Sequence, residues 1–224
     1  RVIAKISDSF DGPPMTLGLS RDRRHFRCRV DGQDVKKRSV LAETLPVQWV
    51  SSQPQLFLEL GPDLRRRFLD MVVFHVKHGY LTMLATYQRI LRQRNAALRT
   101  GHAPSARAWD EALVEAASMV DSERQALLNR LVEKVTPLLA EWPIGAEIRF
   151  RYQSGWNLDS DLIDLLAARM EDDLRQGYTG RGPHRAELEV IAVNGDHEHP
   201  AAKVLSRGQL KLLVIALNLA VFDV

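Results

Sequence analysis

Hydrophobic and polar residues alternate near both ends of the chain, and this alternation predicts β-strands. In the first part we expect strands at residues 2–6, 15–19, 25–30 and 47–50. The pair Asp31-Gly32 favours a tight hairpin turn after the third strand,. In the last part, residues 144–152 and 187–193 alternate in the same way and predict two further strands.

The middle and the end of the chain follow a different pattern, in which apolar residues recur at spacings of three and four. The pattern predicts helices at residues 62–76, 80–99, 106–139, 159–175 and 206–222. Pro62 suits the first position of a helix, and Pro143 ends the third helix,. The last helix is almost entirely apolar after Lys211, so we expect it to be buried,.

The order of these elements predicts an α/β fold class of mixed α+β character, with a helical lobe inserted between strands. Residues 1–60 are expected to form the β-rich part of one lobe, and residues 61–143 the helical lobe. Residues 144–224 are then a strand–helix segment that returns to the first lobe.

Composition narrows the class of protein. The chain has 224 residues, of which 45% are hydrophobic and 26% charged, as in ordinary soluble proteins,. Its longest apolar run is far shorter than the roughly 20 residues that a membrane span needs, so no membrane partner is expected. The single cysteine, Cys28, excludes an internal disulfide framework, and a cytoplasmic location is the simplest expectation,. His75 and His78 have no acid or cysteine near them in sequence, so we expect no metal site there,.

Positive charge is concentrated in one stretch. The net charge is only +3, but residues 61–107 contain nine Lys or Arg against two acids, and the rest of the chain is acidic. A locally basic surface attracts an anionic polymer such as DNA, although a solvated helix face is an equally good explanation. Because three of the arginines are consecutive, at least one should pair internally, for example with Asp70. The candidate DNA contacts are Arg65, Arg66, Arg67, Arg89, Arg92, Arg94 and Arg99.

A short segment before the last helix carries candidate chemistry: Leu205-Ser206-Arg207-Gly208-Gln209. Ser206 can cap the helix, whose first N–H groups lack partners and attract anions. Gly208 leaves no side chain in the way of an approaching phosphate. A plain capped helix is the alternative interpretation for Ser-x-Gly alone.

The longer run Leu-Ser-Arg-Gly-Gln-Leu-Lys-Leu-Leu is similar to the signature of ABC-type ATPases of the SMC and RecF kind. Three other stretches resemble RecF-family motifs and occur in the family's order. They are Gly-Pro followed by arginines and Phe-Leu-Asp at residues 61–70, Leu-Arg-Gln-Arg-Asn-Ala-Ala-Leu at residues 91–98, and Gly-Pro-His-Arg at residues 182–185. The chain therefore resembles the RecF family, as part of an ABC-type ATPase head.

This resemblance implies a DNA repair and recombination mediator that binds DNA at gaps or single/double-strand junctions. ATP with Mg would join two subunits as a homodimer, and the signature residues Ser206, Arg207, Gly208 and Gln209 would sense the nucleotide held by the other subunit. The family's partners would be RecR and RecO, with RecA loaded indirectly. Gln48 or Gln53 would sense the metal, with a surface glutamine that has no role as the alternative for either. His184 and Arg185 would lie at the nucleotide or between the lobes, with a loop-fixing hydrogen bond as the alternative role of His184.

Two family features are missing from the sequence. None of the 13 glycines is followed by lysine, so there is no phosphate-binding loop of the Gly-Lys-Ser/Thr form,. The acidic strand that follows the signature helix is also absent. We therefore expect a fragment with no catalytic residues that binds no ATP alone and is inactive alone, although the family is a weak DNA-dependent ATPase. The alternative is a non-catalytic regulatory or structural partner that presents a signature helix to another ATPase. A generic basic DNA-binding protein would leave residues 205–209 unexplained.

Overall fold

The computed structural model describes residues 2–6, 14–22, 26–35, 40 and 53–224. The chain divides into two compact units, Arg1–Trp49 and Val50–Val224. The predicted strand at residues 47–50 lies outside the described residues. The three-part division expected from the sequence stays a prediction.

The first unit contains an antiparallel meander of four strands. These strands are β1 (Val2–Ile6), β2 (Met15–Arg21), β3 (Phe26–Val30) and β4 (Gln33–Val35), and each pairs with the next. Asp31 and Gly32 have φ angles of 49° and 81°, the left-handed pair that a two-residue hairpin turn requires,. The first three predicted strands and their turn are therefore confirmed. Leu17 and Cys28 are buried on this sheet.

The second unit begins with helices, as the apolar spacing predicts. They are α1 (Leu56–Glu59), α2 (Pro62–Val76), α3 (Tyr80–Arg99), α4 (Ala103–Arg107) and α5 (Asp110–Glu141). The predicted helix at residues 106–139 is wrong at its start, because His102 caps a separate short helix by accepting a hydrogen bond from the Ser105 N–H. Among the described residues, no helix combines the length and the apolar character needed to cross a membrane.

A second sheet follows, built from β5 (Glu147–Gln153), β6 (Glu187–Asn194) and β7 (His197–Pro200), all antiparallel. Between β5 and β6 lie α6 (Leu162–Ala168) and α7 (Met170–Gln176), where one helix was predicted, because the backbone leaves the helical conformation at Arg169. After β7 come α8 (Ala201–Val204) and α9 (Arg207–Ala220). Single 3-10 turns occupy Pro183–Arg185 and Val221–Asp223.

The core of the second unit lies between α5, α9 and β6. Leu210, Leu213 and Leu217 of α9 are at most 2% exposed and pack in one cluster with Leu131 and Leu188. Burial of this face fixes the long axis of α9, as its apolar sequence predicts. As a consequence, the first turn of α9 is held at the surface, where Ser206, Arg207 and Gly208 are exposed.

Candidate functional site

The start of α9 is a capping box. The Ser206 hydroxyl accepts a hydrogen bond from the Gln209 N–H at 3.3 Å, and the Gln209 Oε1 accepts one from the Ser206 N–H at 2.8 Å. The reciprocal pair satisfies two N–H groups that a helix start otherwise leaves free. It stops the first turn from fraying and fixes the remaining N–H groups of this turn in direction.

Gln209 has a second internal role. Its Nε2 donates a hydrogen bond to the Ile144 carbonyl at 2.8 Å, so both ends of the side-chain amide are engaged within the chain. Gly145 has a φ of 74°, and a Cβ there would lie 3.1 Å from that same Nε2. Gln209 therefore ties the first turn of α9 to the turn that joins α5 and β5, and it acts as a positioning residue in this conformation.

The outer surface of the same turn is open. A Cβ at Gly208 would meet only the Ser206 Oγ, at 3.9 Å, so nothing inside the described chain requires glycine there. The first turn carries no acidic side chain, and in the part of the chain that the structure describes, no acceptor takes the N–H groups of Arg207 or Gly208. With Arg207 and Lys211 also exposed, this turn suits an anion and does not suit a metal ion.

The other three sequence motifs meet at one loop, residues 177–187, which we call the 177–187 loop. Gly182 in this loop has a φ of 131°, and a Cβ there would lie 2.8 Å from the Tyr87 hydroxyl. Gly155 has a φ of 86°, and its Cβ would lie 2.3 Å from the Gly182 carbonyl oxygen. Both positions require glycine, for backbone conformation and for space.

Arginines of α2 hold the end of this loop. Arg65 donates two hydrogen bonds to the Glu187 carboxylate, at 2.7 and 3.0 Å, and a third to the Leu60 carbonyl at 2.8 Å. Arg66 donates to the Ala186 carbonyl at 2.6 Å and pairs with Asp63. The motif at residues 61–70 and the residues after Gly-Pro-His-Arg are thus joined by hydrogen bonds.

Helix α3 holds the middle of the loop. Arg94 donates to the carboxylates of Asp110 and Asp173, each at 2.7 Å, and to the Thr179 hydroxyl at 2.8 Å. The Asn95 amide oxygen accepts hydrogen bonds from the N–H and the hydroxyl of Thr179. The Arg-Asn pair of the second motif is therefore a loop-binding element.

His184 lies inside the loop and joins its two sides. Its Nδ1 is 2.6 Å from the Tyr87 hydroxyl, and its Nε2 is 2.9 Å from the Thr179 carbonyl oxygen. Burial lowers the pKa of His184 to about 4, so the ring is neutral near pH 7,. Burial also raises the pKa of Tyr87. A neutral ring with both nitrogens engaged acts as a fixed structural link.

Arg124 of α5 completes the support, and the sequence pattern gave no indication of it. It donates two hydrogen bonds to Asp70, at 2.8 and 3.0 Å, and one to the Pro183 carbonyl at 2.7 Å. At least one arginine of residues 65–67 was expected to pair internally, and Arg65 and Arg66 do so, with Glu187 and Asp63. Asp70, the example given for a partner, pairs with neither of them. Its partners are Arg124 and the Tyr80 hydroxyl, because α5 packs beside α2.

These contacts divide the candidate DNA-binding arginines into two groups. Arg94 is completely buried, and the side chains of Arg65 and Arg66 are only 11% and 15% exposed because each is engaged inside the unit. Arg94 therefore cannot reach a phosphate from this position, and Arg65 and Arg66 hold the loop instead. The exposed candidates, without an ion pair in the described part of the chain, are Arg67, Arg89, Arg92 and Arg99.

The remaining predicted site residues are Gln48, Gln53 and Arg185. Gln53 is exposed and Gln48 lies outside the described residues. Arg185 is exposed, and its guanidinium lies over the ring of Tyr178 at 5.1 Å from the centroid. Tyr178 was not predicted as a site residue. The only signal for it in the sequence is its place in the glycine-rich segment before Gly-Pro-His-Arg.

Comparison with known proteins gives a consistent result. No family model matches the chain. It is 39% identical over 213 residues to the DNA replication and repair protein RecF of Pseudomonas aeruginosa (strain LESB58), covering 94% of this chain and 57% of that protein. It is 41% identical over 207 residues to the RecF protein of Stutzerimonas stutzeri, covering 91% of this chain and 55% of that protein. The chain thus spans little more than half the length of these relatives.

Solved structures confirm the fold class. The structure of the recombination mediator protein RecF with ATP, from the RecFOR pathway, superposes with a TM-score of 0.82 at 20% identity. The same protein with ATPrS gives a TM-score of 0.79 at 19% identity. Each superposition covers 95% of this chain and 60% of the solved chain. With relatives of about 40% identity along nearly all of its length, the chain belongs to the RecF family.

Proposed function

We propose that the chain is part of a RecF-type DNA repair and recombination mediator, in which the first turn of α9 senses ATP held by a second subunit. The observation that carries this proposal is the open turn at Gly208, which has free N–H groups, no acid and no internal reason for glycine. The relatives named for DNA replication and repair, and the solved structure named for its ATP, support the same function.

The residues present fit one side of a nucleotide site. The N–H groups of Arg207 and Gly208 point away from the helix, and Ser206 keeps the turn closed through its cap,. Arg207 and Lys211 add positive charge where the helix dipole is already positive, which only an external anion stabilises,. The γ-phosphate of ATP supplies that negative charge. Magnesium would be held by other residues, because this turn offers no carboxylate.

DNA would lie along the exposed arginines of α3. Arg89, Arg92 and Arg99 are three and seven residues apart, which places them on one side of the helix,. Such a row contacts phosphates and gives salt-dependent binding with little dependence on base sequence. Closing the ATP-bound homodimer would then hold DNA gaps or junctions, and RecR and RecO would act with the protein in loading RecA.

The decisive variant is Ser206→Arg in the full-length, ATP-binding protein that contains this sequence. The larger cation removes the serine cap and fills the open turn, so we expect ATP-driven dimerisation to be lost while ATP binding is retained. Light scattering with and without ATP measures the first, and titration with a fluorescent ATP analogue measures the second. Ser206→Thr keeps the hydroxyl cap and serves as the matched control. Dimerisation of Ser206→Arg at the wild-type ATP concentration would refute the proposed role of this turn.

A further inference from the structure

Tyr178 and Arg185 form an exposed pair that the nucleotide-sensing role does not use. The guanidinium of Arg185 lies over one face of the Tyr178 ring, 5.1 Å from its centroid. Tyr178 is nevertheless 41% exposed, whereas the other described aromatic residues of this unit, except Phe222, are buried or half-buried. An aromatic ring with one face covered by a cation and the rest open to solvent is built to receive a second flat group.

The 177–187 loop holds this pair rigidly. The hydrogen bond of 2.9 Å between His184 Nε2 and the Thr179 carbonyl joins the two residues that adjoin Tyr178 and Arg185 in sequence. Thr179 is fixed in turn by Arg94 and Asn95. A surface pair supported by a buried network of this size loses little conformational entropy when a ligand binds.

The surroundings of the pair are basic. The segment from Arg175 to Arg185 contains three arginines and no acid. The stem of Arg99 approaches the same place, because a Cβ at Gly177 would lie 3.1 Å from the Arg99 Cγ. Of the acids just before this segment, Asp172 pairs with Arg175, and the buried Asp173 pairs with Arg94. Arg181 and Arg185 have no carboxylate partner in the described part of the chain. The ligand is therefore expected to be both flat and anionic, which describes a nucleotide unit of a nucleic acid.

We propose that Tyr178 and Arg185 form a stacking site for an unpaired DNA base, with Arg99 and Arg181 contacting the neighbouring phosphates. This inference rests on the proposed function, since it assigns the DNA form that the protein recognises. Bases in a continuous duplex are already stacked on each other, so they do not offer a free face to the tyrosine ring. A base at a gap or in a single strand does, and the site would select such DNA.

The test measures binding of the full-length, ATP-binding protein that contains this sequence, in the presence of ATP, to two labelled DNAs of equal length, one continuous duplex and one with a single-stranded gap. Loss of one base–aromatic stack weakens binding by roughly tenfold. We therefore expect Tyr178→Ala to bind gapped DNA about tenfold more weakly and duplex DNA within about twofold of the wild type. Tyr178→Phe keeps the ring and should bind both DNAs within about twofold of the wild type. A 2-aminopurine base in the gap reports stacking directly, because its fluorescence falls when it stacks.

Each outcome decides the inference. Wild-type binding of gapped DNA by Tyr178→Ala overturns it and leaves the proposed DNA-binding function intact. Equal weakening on both DNAs also overturns it, because a stacked base is then not what the ring recognises. Failure of the wild-type full-length protein to bind either DNA would instead refute the proposed function. Thermal melting confirms that each variant is folded, which is expected for an exposed side chain.

Discussion

Replacement of Arg94 by leucine tests whether this arginine stabilises the fold or binds DNA. The motif that contains Arg94 lies in a basic helix, and its charge alone suggested a phosphate contact. In the structure its side chain is completely buried and bridges Asp110 and Asp173, whose side chains are 8% and 3% exposed. The change to leucine keeps the helix propensity nearly constant. It removes the only cation that contacts these two carboxylates in the described part of the chain.

The expected loss of stability follows from this geometry. Arg94→Leu leaves two buried carboxylates without their cation and removes the hydrogen bond that Arg94 donates to the Thr179 hydroxyl. Removing one partner of a buried ion pair costs about 3–5 kcal/mol, because the remaining charge stays desolvated. For a unit of the size of Val50–Val224, each kcal/mol lowers the melting temperature by about 2–4 °C. We therefore expect the melting temperature to fall by about 10 °C.

Arg92→Leu is the matched control, because it makes the same change two residues away on the exposed side of α3. Thermal and urea unfolding followed by circular dichroism should place Arg92→Leu within about 0.5 kcal/mol of the wild type. In DNA titrations at several salt concentrations, Arg92→Leu should reduce the salt slope by about 1, and folded Arg94→Leu should not change it. An Arg94→Leu variant within about 1 kcal/mol of the wild type, with the salt slope reduced, would refute the structural role.

Two further predictions concern the 177–187 loop. Lowering the pH from 6.5 to about 4 should reduce the free energy of unfolding by on the order of 3 kcal/mol through His184, because burial lowers its pKa to about 4 and only the unfolded state gains the proton in this range,. In His184→Gln, urea unfolding at several pH values should no longer show this loss of unfolding free energy. A variant that keeps the wild-type pH dependence would contradict the assignment to His184. Gly155→Ala should cost about 2–4 kcal/mol, because φ is 86° and the new Cβ meets the Gly182 carbonyl oxygen at 2.3 Å,. Gly79→Ala, where φ is −65° and the space is open, should be nearly neutral in the same thermal melt.

The sequence was sufficient for the elements whose pattern is local. Helix α3 begins at Tyr80 and ends at Arg99 as its apolar spacing predicts, and Ser206 caps α9. Strand β7 was missed because all four of its residues are exposed, so they show no alternation. The break between α4 and α5 was missed because this stretch is rich in alanine and arginine, which favour a continuous helix,. In both failures the spacing of apolar residues carries no signal of the observed boundary.

The functional residues could be sorted only by contacts between distant parts of the chain. Arg92 and Arg94 belong to the same motif, yet one is exposed and the other is buried between carboxylates 16 and 79 residues away. Charge and spacing along the helix are similar for both, so no rule based on one helix separates them. Asp173, the more distant of the two partners of Arg94, lies next to it only because α7 packs against α3.

Gly182 and Gly208, two glycines of the family motifs, differ in whether contacts inside the chain require glycine at that position. Gly182 is required by the chain itself, because its φ is 131° and a Cβ would lie 2.8 Å from the Tyr87 hydroxyl. Gly208 has no such reason, since its nearest neighbour would be 3.9 Å away. In a helix, glycine also costs up to about 1 kcal/mol relative to alanine. Glycine at this position destabilises its own helix and is not required by any contact inside the chain. Its small size is therefore best explained by a ligand that binds there. An open, basic helix start suits an anion, and this is the physical reason for our proposal that the nucleotide of a second subunit binds at Gly208.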